Sequence, residues 1–238
     1  MRKPEEDKVF EYQFSFPDRS SAKVTVRLDA ETLAVIQDPP DPAPDWTKLA
    51  FRQCPNCPLK PAEHPLCPVA ANLHQIVHVF KDAVSFNQVD VAVSSGSRQI
   101  QKTASIAEAL TSLIGIYMAA SGCPIMDRLR PMLLTHMPFA TGLETFYRSV
   151  GTYLLGQFFI QEAGGKPDWS LKRLNAASQE IQTVNRAFCL RLKSLGIGDG
   201  IVNAVAHLDC FASLTGSLLI QRQLGKLRQL FAAYLRDR

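Results

Sequence analysis

The apolar residues of this chain change their period once, near Ser105, and that switch constrains the fold more than any other feature. Ahead of it they recur every second residue. Phe10, Tyr12, Phe14 and Phe16 alternate with Glu11, Gln13 and Ser15, the pattern of a half-buried strand. Pro17-Asp18-Arg19-Ser20 makes a turn, and Val24, Val26 and Leu28 alternate with Thr25 and Arg27 to supply the second arm of a hairpin. Leu33–Ile36 predicts a short third strand. Asp38–Pro44 holds four prolines and predicts a stiff, irregular linker. Pro68–Asp82 reads as a helix with Val69, Leu73, Ile76, Val77 and Phe80 on one side. Val89, Val91 and Val93 read as a strand that turns at Ser95-Gly96 into a more polar one, Arg98–Thr103.

Beyond the switch the spacing is helical. Ser105 with Glu108, and Thr141 with Glu144, match capping boxes, so Glu144 is read as a cap rather than a catalytic acid. Ile106, Leu110, Leu113, Ile114 and Tyr117 form one stripe, and Gly122 fits the position just past the helix end. Cys123-Pro124 predicts a short helix that stops at Pro131. Thr141 opens a helix through Gln161. Asp168–Leu195 predicts another, with Leu171, Leu174, Ser178, Ile181, Asn185, Phe188, Leu192 and Leu195 along a heptad seam. Gly200–Tyr234 is helical again, with a break near Gly216. The expected fold class is therefore α+β: a small N-terminal antiparallel sheet with one helix, followed by a C-terminal α-helical bundle. The expected division is 1–104 for the sheet, a cysteine loop and one helix, and 105–238 for the bundle, packed as one unit through the cysteines.

The chemistry lies in those cysteines. Cys54, Cys57, Cys67 and Cys123 are each followed by proline, whereas Cys189 and Cys210 are not and read as core residues of amphipathic helices. A two-residue spacing lets Cys54 and Cys57 reach one centre from one turn. Proline stiffens the loop, and a proline at the first helical position puts Cys67 and Cys123 at helix N-termini, where the dipole favours thiolate. The loop Phe51–Leu66 has no period, so something other than secondary structure must order it. Three readings are open. The leading one is an iron–sulfur cluster on Cys54, Cys57, Cys67 and Cys123, serving electron transfer or redox sensing with a redox partner protein. The second is zinc, on the same four or on Cys54, Cys57, His64 and Cys67, stabilising an interaction module without catalytic activity. The third is cysteines that merely pack. An enzyme with an open metal or cluster site near Cys123 would need one of the four to be a non-ligand. Asp127, Arg128, Arg130, His136 and Arg148, close to Cys123 in sequence, could then bind an anion or move protons, although ordinary helix-surface charge is the favoured reading of them. His74 and His78 are one helical turn apart but lack a third ligand.

Composition excludes more than it selects. A chain 46% hydrophobic and 20% charged can bury a core without disulfides. The opening residues Met1–Lys8 are charged and lack an apolar run, and the most apolar windows are interrupted by Glu108, His207 and Asp209. A cytoplasmic protein with reduced thiols and no membrane span is expected. A net charge of +4 is too mild to imply nucleic acid, and the basic residues Arg222, Lys226, Arg228, Arg236 and Arg238 read as a solvated face. No phosphate loop, dinucleotide fingerprint or nucleophile elbow occurs.

Four stretches together resemble a family. Phe51–Leu59 (FRQCPNCPL), His64–Ala70 (HPLCPVA), Ser121–Arg130 (SGCPIMDRLR) and His136–Glu144 (HMPFATGLE) are similar to segments of a bacterial family known only as a domain of unknown function. The resemblance covers most of the chain. It implies a bacterial source and no particular activity.

Overall fold

The computed structural model describes residues 6–236, the side chains of 217–221 excepted. β1 (Lys8–Ser15) and β2 (Ser21–Leu28) form the expected hairpin, paired from Lys8 opposite Leu28 to Ser15 opposite Ser21. Because side chains alternate across a strand, Phe10, Tyr12 and Phe14 fall on the same covered face as Val24, Val26 and Leu28. β3 (Gln88–Ser95) pairs antiparallel with the other edge of β1, and β4 (Arg98–Ser105) returns beside β3, so the strand order is β2-β1-β3-β4. β4 is exposed along most of its length; Arg98 and Lys102 on this edge discourage pairing with another chain. Leu33–Ile36 does not become a strand. Only Val35 bridges to Leu28, through the Ile36 amide on the Arg27 carbonyl at 2.8 Å and the Asp29 amide on the Ala34 carbonyl at 2.9 Å. The Val35 amide, on the side away from β2, donates to the Ala120 carbonyl at 3.1 Å and so ties this segment to the end of α2.

α1 (Pro68–Val79) starts at the proline, as expected, and buries Val69, Leu73, Ile76 and Val77. Phe80 follows and meets Phe14 edge-on, with ring centroids 4.9 Å apart. α2 (Ile106–Ala120) is buried on nearly every side, packed between α1, the strands β3 and β4, and α5 (Asp199–Ser213). Each fully buried Leu or Ile on it contributes about 1.5–3 kcal/mol. Its capping box is only half made: Ser105 Oγ accepts from the Glu108 amide, but the Glu108 carboxylate pairs with Lys102 Nζ instead. Both halves are present at Thr141 and Glu144, which open α3 (Gly142–Glu162).

Two boundaries move for identifiable reasons. The segment after Cys123 forms 3₁₀ turns over Met126–Thr135 that run through Pro131, which removes one amide donor without ending them. α4 (Lys172–Lys193) begins later than Asp168. Asp168 accepts from the amides of Ser170 and Arg173, and Leu171 takes a left-handed φ of 62°, so that turn is a preface to the helix. Helix α5 ends before Gly216, which precedes α6 (Ser217–Leu227), and α7 (Ala232–Arg236) is the last element of the described residues.

One core joins the sheet to α1, α2, α4 and α5 across residue 104. A smaller one, with Phe146, Val150, Leu171, Leu174 and Leu227, ties α3 to the start of α4 and the end of α6. At Gly198, between α4 and α5, an added Cβ would lie 2.5 Å from the Ala83 carbonyl oxygen, so only glycine allows that approach. Among the described residues no helix is long and apolar enough to cross a membrane.

Candidate metal centre

Three separate segments deliver the four proline-flanked cysteines. The Cys57 amide donates to the Cys54 carbonyl at 3.0 Å, a tight turn that carries both side chains on one loop. Cys67 is the residue before α1, held by its amide on the Thr47 carbonyl at 2.8 Å. Gly122, at φ +82°, ends α2 in the left-handed conformation that glycine adopts without penalty, and the chain leaves it directly into Cys123. The Cys123 amide donates to Ser121 Oγ at 3.2 Å, while the amides of Ile125 and Met126 face its sulfur.

All four line one small cavity of about 20 Å³, closed by Leu49, Leu59, Val69, Ile125, Val184 and Phe188. Cys67 and Cys123 are buried, Cys54 and Cys57 partly so. Burial pushes the Cys54 thiol up to about 12, the neighbouring cysteines adding to the rise, while Arg191 opposes it. Burial also raises the Cys123 thiol, against the pull of the two amides. Among the described residues, no three of His, Cys, Asp and Glu stand in an arrangement that could hold one metal ion.

Arg191, on the cavity wall, belongs to no motif in the sequence. It is 1% exposed. Its Nη1 donates to the carbonyls of Trp46 and Lys48 at 2.8 and 2.9 Å, and Nη2 to those of Leu49 and Arg52 at 3.5 and 3.4 Å. The guanidinium also lies over the Phe51 ring, 5.8 Å from its centroid. This side chain, together with the turn bonds from Lys48 to Cys67, orders the loop that has no period of its own. Asn56 anchors it further, donating to the Glu180 carbonyl on α4 at 3.0 Å. The available signal was positional: residue 191 lies three after Phe188 and beside Leu192, so an arginine stands on the buried seam.

The chain matches, over residues 10–232, the family described as domain of unknown function (DUF6901). It belongs to that family. No curated protein and no solved structure matches it. The stretch shared with the DUF6901 family takes in the four cysteines, Arg191 and every other candidate residue named here except Arg236 and Arg238.

The remaining candidates lie elsewhere. His64 is exposed and does not line the cavity. His74 Nδ1 sits 2.8 Å from the Ala71 carbonyl, and His78 is exposed. Cys189 is half-buried with its sulfur 3.6 Å from the Val202 carbonyl, whereas Cys210 is exposed, contrary to the core position expected for it. On α5 the covered face is Ile201, Val202, Ala204 and Val205, and Cys210 falls off it beside Asp209. Asp127 pairs with Arg130, and Arg128 with Glu180. Arg128, His136 and Arg148 line a second, larger space rather than the cysteine cavity. His136 Nε2 lies 2.9 Å from the Tyr12 hydroxyl, and burial, with Arg148 and Lys8 nearby, holds its ring down to about 3. Arg222, Lys226, Arg228 and Arg236 are exposed; Arg238 lies outside the described residues.

Proposed function

We propose that this protein uses Cys54, Cys57, Cys67 and Cys123 to bind an iron–sulfur cluster and serves in electron transfer or redox sensing. The observation that carries the reading is a buried guanidinium, Arg191, without a carboxylate partner among the described residues, on the wall of the cavity that the four cysteines line. A buried charge costs several kcal/mol unless an opposite charge accompanies it. Four thiolates around iron or zinc carry net negative charge and would balance Arg191. The donor set is all sulfur, which suits a cluster.

Each residue has a part in that reading. Cys54 and Cys57 supply a two-ligand clip from the loop that Arg191 gathers. Cys67 supplies a third from the start of α1. Cys123 supplies the fourth, not from a helix start but from the turn ahead of the 3₁₀ segment, where the Ile125 and Met126 amides stabilise its thiolate. The apolar wall of Leu49, Val184 and Phe188 keeps water off the centre. Ligation by four cysteines leaves no open position, so the cluster would supply one-electron chemistry rather than substrate activation. Cys54 and Cys57 are only partly buried, so a redox partner protein would approach on their side of the molecule. A cytoplasmic setting keeps free thiols reduced and ready for metal.

Zinc, stabilising an interaction module, is favoured by one observation: a cavity of about 20 Å³ has room for one ion. Anaerobic purification distinguishes the two. Stoichiometric iron and sulfide with broad visible absorbance support the cluster. Colourless protein with one zinc supports the module. Protein that takes up neither metal after reconstitution refutes a metal centre altogether.

A further inference from the structure

A second space, about 770 Å³, lies under α3 and is walled by α2, α4 and α5 and the turns after Cys123. Its volume falls in the range of about 300–1,000 Å³ that holds small organic ligands. Most of its wall is apolar, including Met118, Leu129, Phe146, Ile181, Leu208 and Phe211. Five ionised side chains also line it: Glu108, Arg128, Arg148, Arg173 and Glu180. Glu108 pairs with Lys102, Arg128 with Glu180, and Arg173 with Asp168. Among the described residues, Arg148 alone of the five has no ion-pair partner.

Arg148 is also poorly satisfied. It is half-buried and makes one hydrogen bond, from Nη2 to the Met132 carbonyl at 2.6 Å, and its Nε is enclosed without a partner. A guanidinium has five N–H donors in a planar fork that matches a carboxylate. The nearest acidic influence is Glu144, whose Oε2 is occupied by the Thr141 amide and hydroxyl in the α3 cap. His136, Ser112 and Arg148 line the same wall, with His136 joined to Ser112 and to the Tyr12 hydroxyl. His136 is neutral at neutral pH, so it can share a polar group but supplies no second cation.

We propose that this cavity binds a carboxylate with an apolar body, the carboxylate on Arg148 beside Ser112 and His136, and the body against α2, α4 and α5. Charge selects the class. The cavity carries one uncompensated positive group in an apolar lining, so a neutral apolar molecule leaves Arg148 unanswered and an amine is repelled. This site is independent of the cysteine centre: Val184 faces the cysteine cavity and its neighbour Asn185 the larger one, with α4 as the partition.

The test uses the full chain and isothermal titration with dodecanoate, 4-phenylbenzoate, dodecanol and dodecylamine. At least one of the two acids is expected to bind saturably below about 1 mM, and dodecanol and dodecylamine at least roughly tenfold more weakly than that acid. Arg148→Gln should weaken the acid by roughly tenfold or more and leave dodecanol unchanged, a split that a general loss of structure would not produce. Gly156→Leu should weaken the acid and the alcohol alike. Position 156 lies on the α3 wall of the space with nothing within 4 Å of an added Cβ, so the new side chain occupies the cavity without a clash at its root. Thermal melts of both variants check that they fold. The proposal is overturned if neither acid binds, if the alcohol binds as tightly as the acid, or if a folded Arg148→Gln protein keeps the acid's affinity.

Discussion

The two cavities flank one helix and treat a buried arginine in opposite ways. In the cysteine cavity, Arg191 is almost fully enclosed and its donors meet the carbonyls of Trp46, Lys48, Leu49 and Arg52. In the larger one, Arg148 is half-buried with a single hydrogen bond. The first arginine is a structural tie whose charge remains available to sulfur across a small, largely apolar space. The second has its donors largely unused above a large apolar one. Satisfied hydrogen bonds mark the element that builds a site, and unsatisfied ones the element that waits for a ligand.

The comparison predicts its largest contrast in metal content. Replacing Cys54, Cys57, Cys67 or Cys123 singly by Ser should abolish stoichiometric iron after anaerobic reconstitution, while Cys189→Ala should leave it intact, since its sulfur faces the Val202 carbonyl. Retention of full iron in two or more of the four variants would break the assignment of the small cavity.

Next in size is the difference between the arginines. Arg191→Met should cost about 3 kcal/mol or more in denaturant unfolding, because several carbonyls lose their donor at once in a buried loop. Arg148→Met should change stability by less than about 1 kcal/mol, since one hydrogen bond is lost and a desolvated charge is relieved. Equal costs would erase the distinction.

The larger cavity should also make the protein acid-sensitive. His136 is held neutral, with its folded pKa near 3 against the usual value of about 6.5. Between those values the unfolded chain binds a proton that the folded one does not, so stability falls as pH drops from about 6.5 towards 3, by up to about 1.4 kcal/mol per pH unit. Lys8 and Arg148 face the same ring and stay charged through this window. A His136→Gln variant should lose this part of the slope in pH-dependent unfolding curves. An unchanged slope would mean that the ring is not the group responsible.

The smallest effect expected is at Cys210. It is exposed, so Cys210→Ala should alter stability by no more than about 0.5 kcal/mol and leave metal content unchanged. A larger loss in the melt would show that α5 buries it in solution.

What the chain declares locally, it declares well. The alternation of Phe10, Tyr12 and Phe14 against Glu11 and Gln13 is enough to define β1 and its buried face, because side-chain direction in a strand depends only on parity. Pro68 and Gly122 mark a helix start and a helix end through their own backbone preferences. The heptad seam from Leu171 to Leu192 is buried throughout, since the 3.5-residue spacing alone sets one face of α4.

What required the fold is everything decided by distant segments meeting. Strand order is one case: β3 joins β1, and nothing near Val89 says so. The anchor of the Leu33–Ile36 segment is another, because the Val35 amide donates to a helix end 85 residues on (120 − 35). Arg191 carries the clearest lesson. Its place on a buried seam was readable, but its partners lie about 140 residues earlier, and the carbonyls it gathers have no sequence signature because every residue has one. The larger cavity was invisible for a similar reason: an empty space is a property of how α2, α3, α4 and α5 fail to fill the volume between them, and no single helix encodes that.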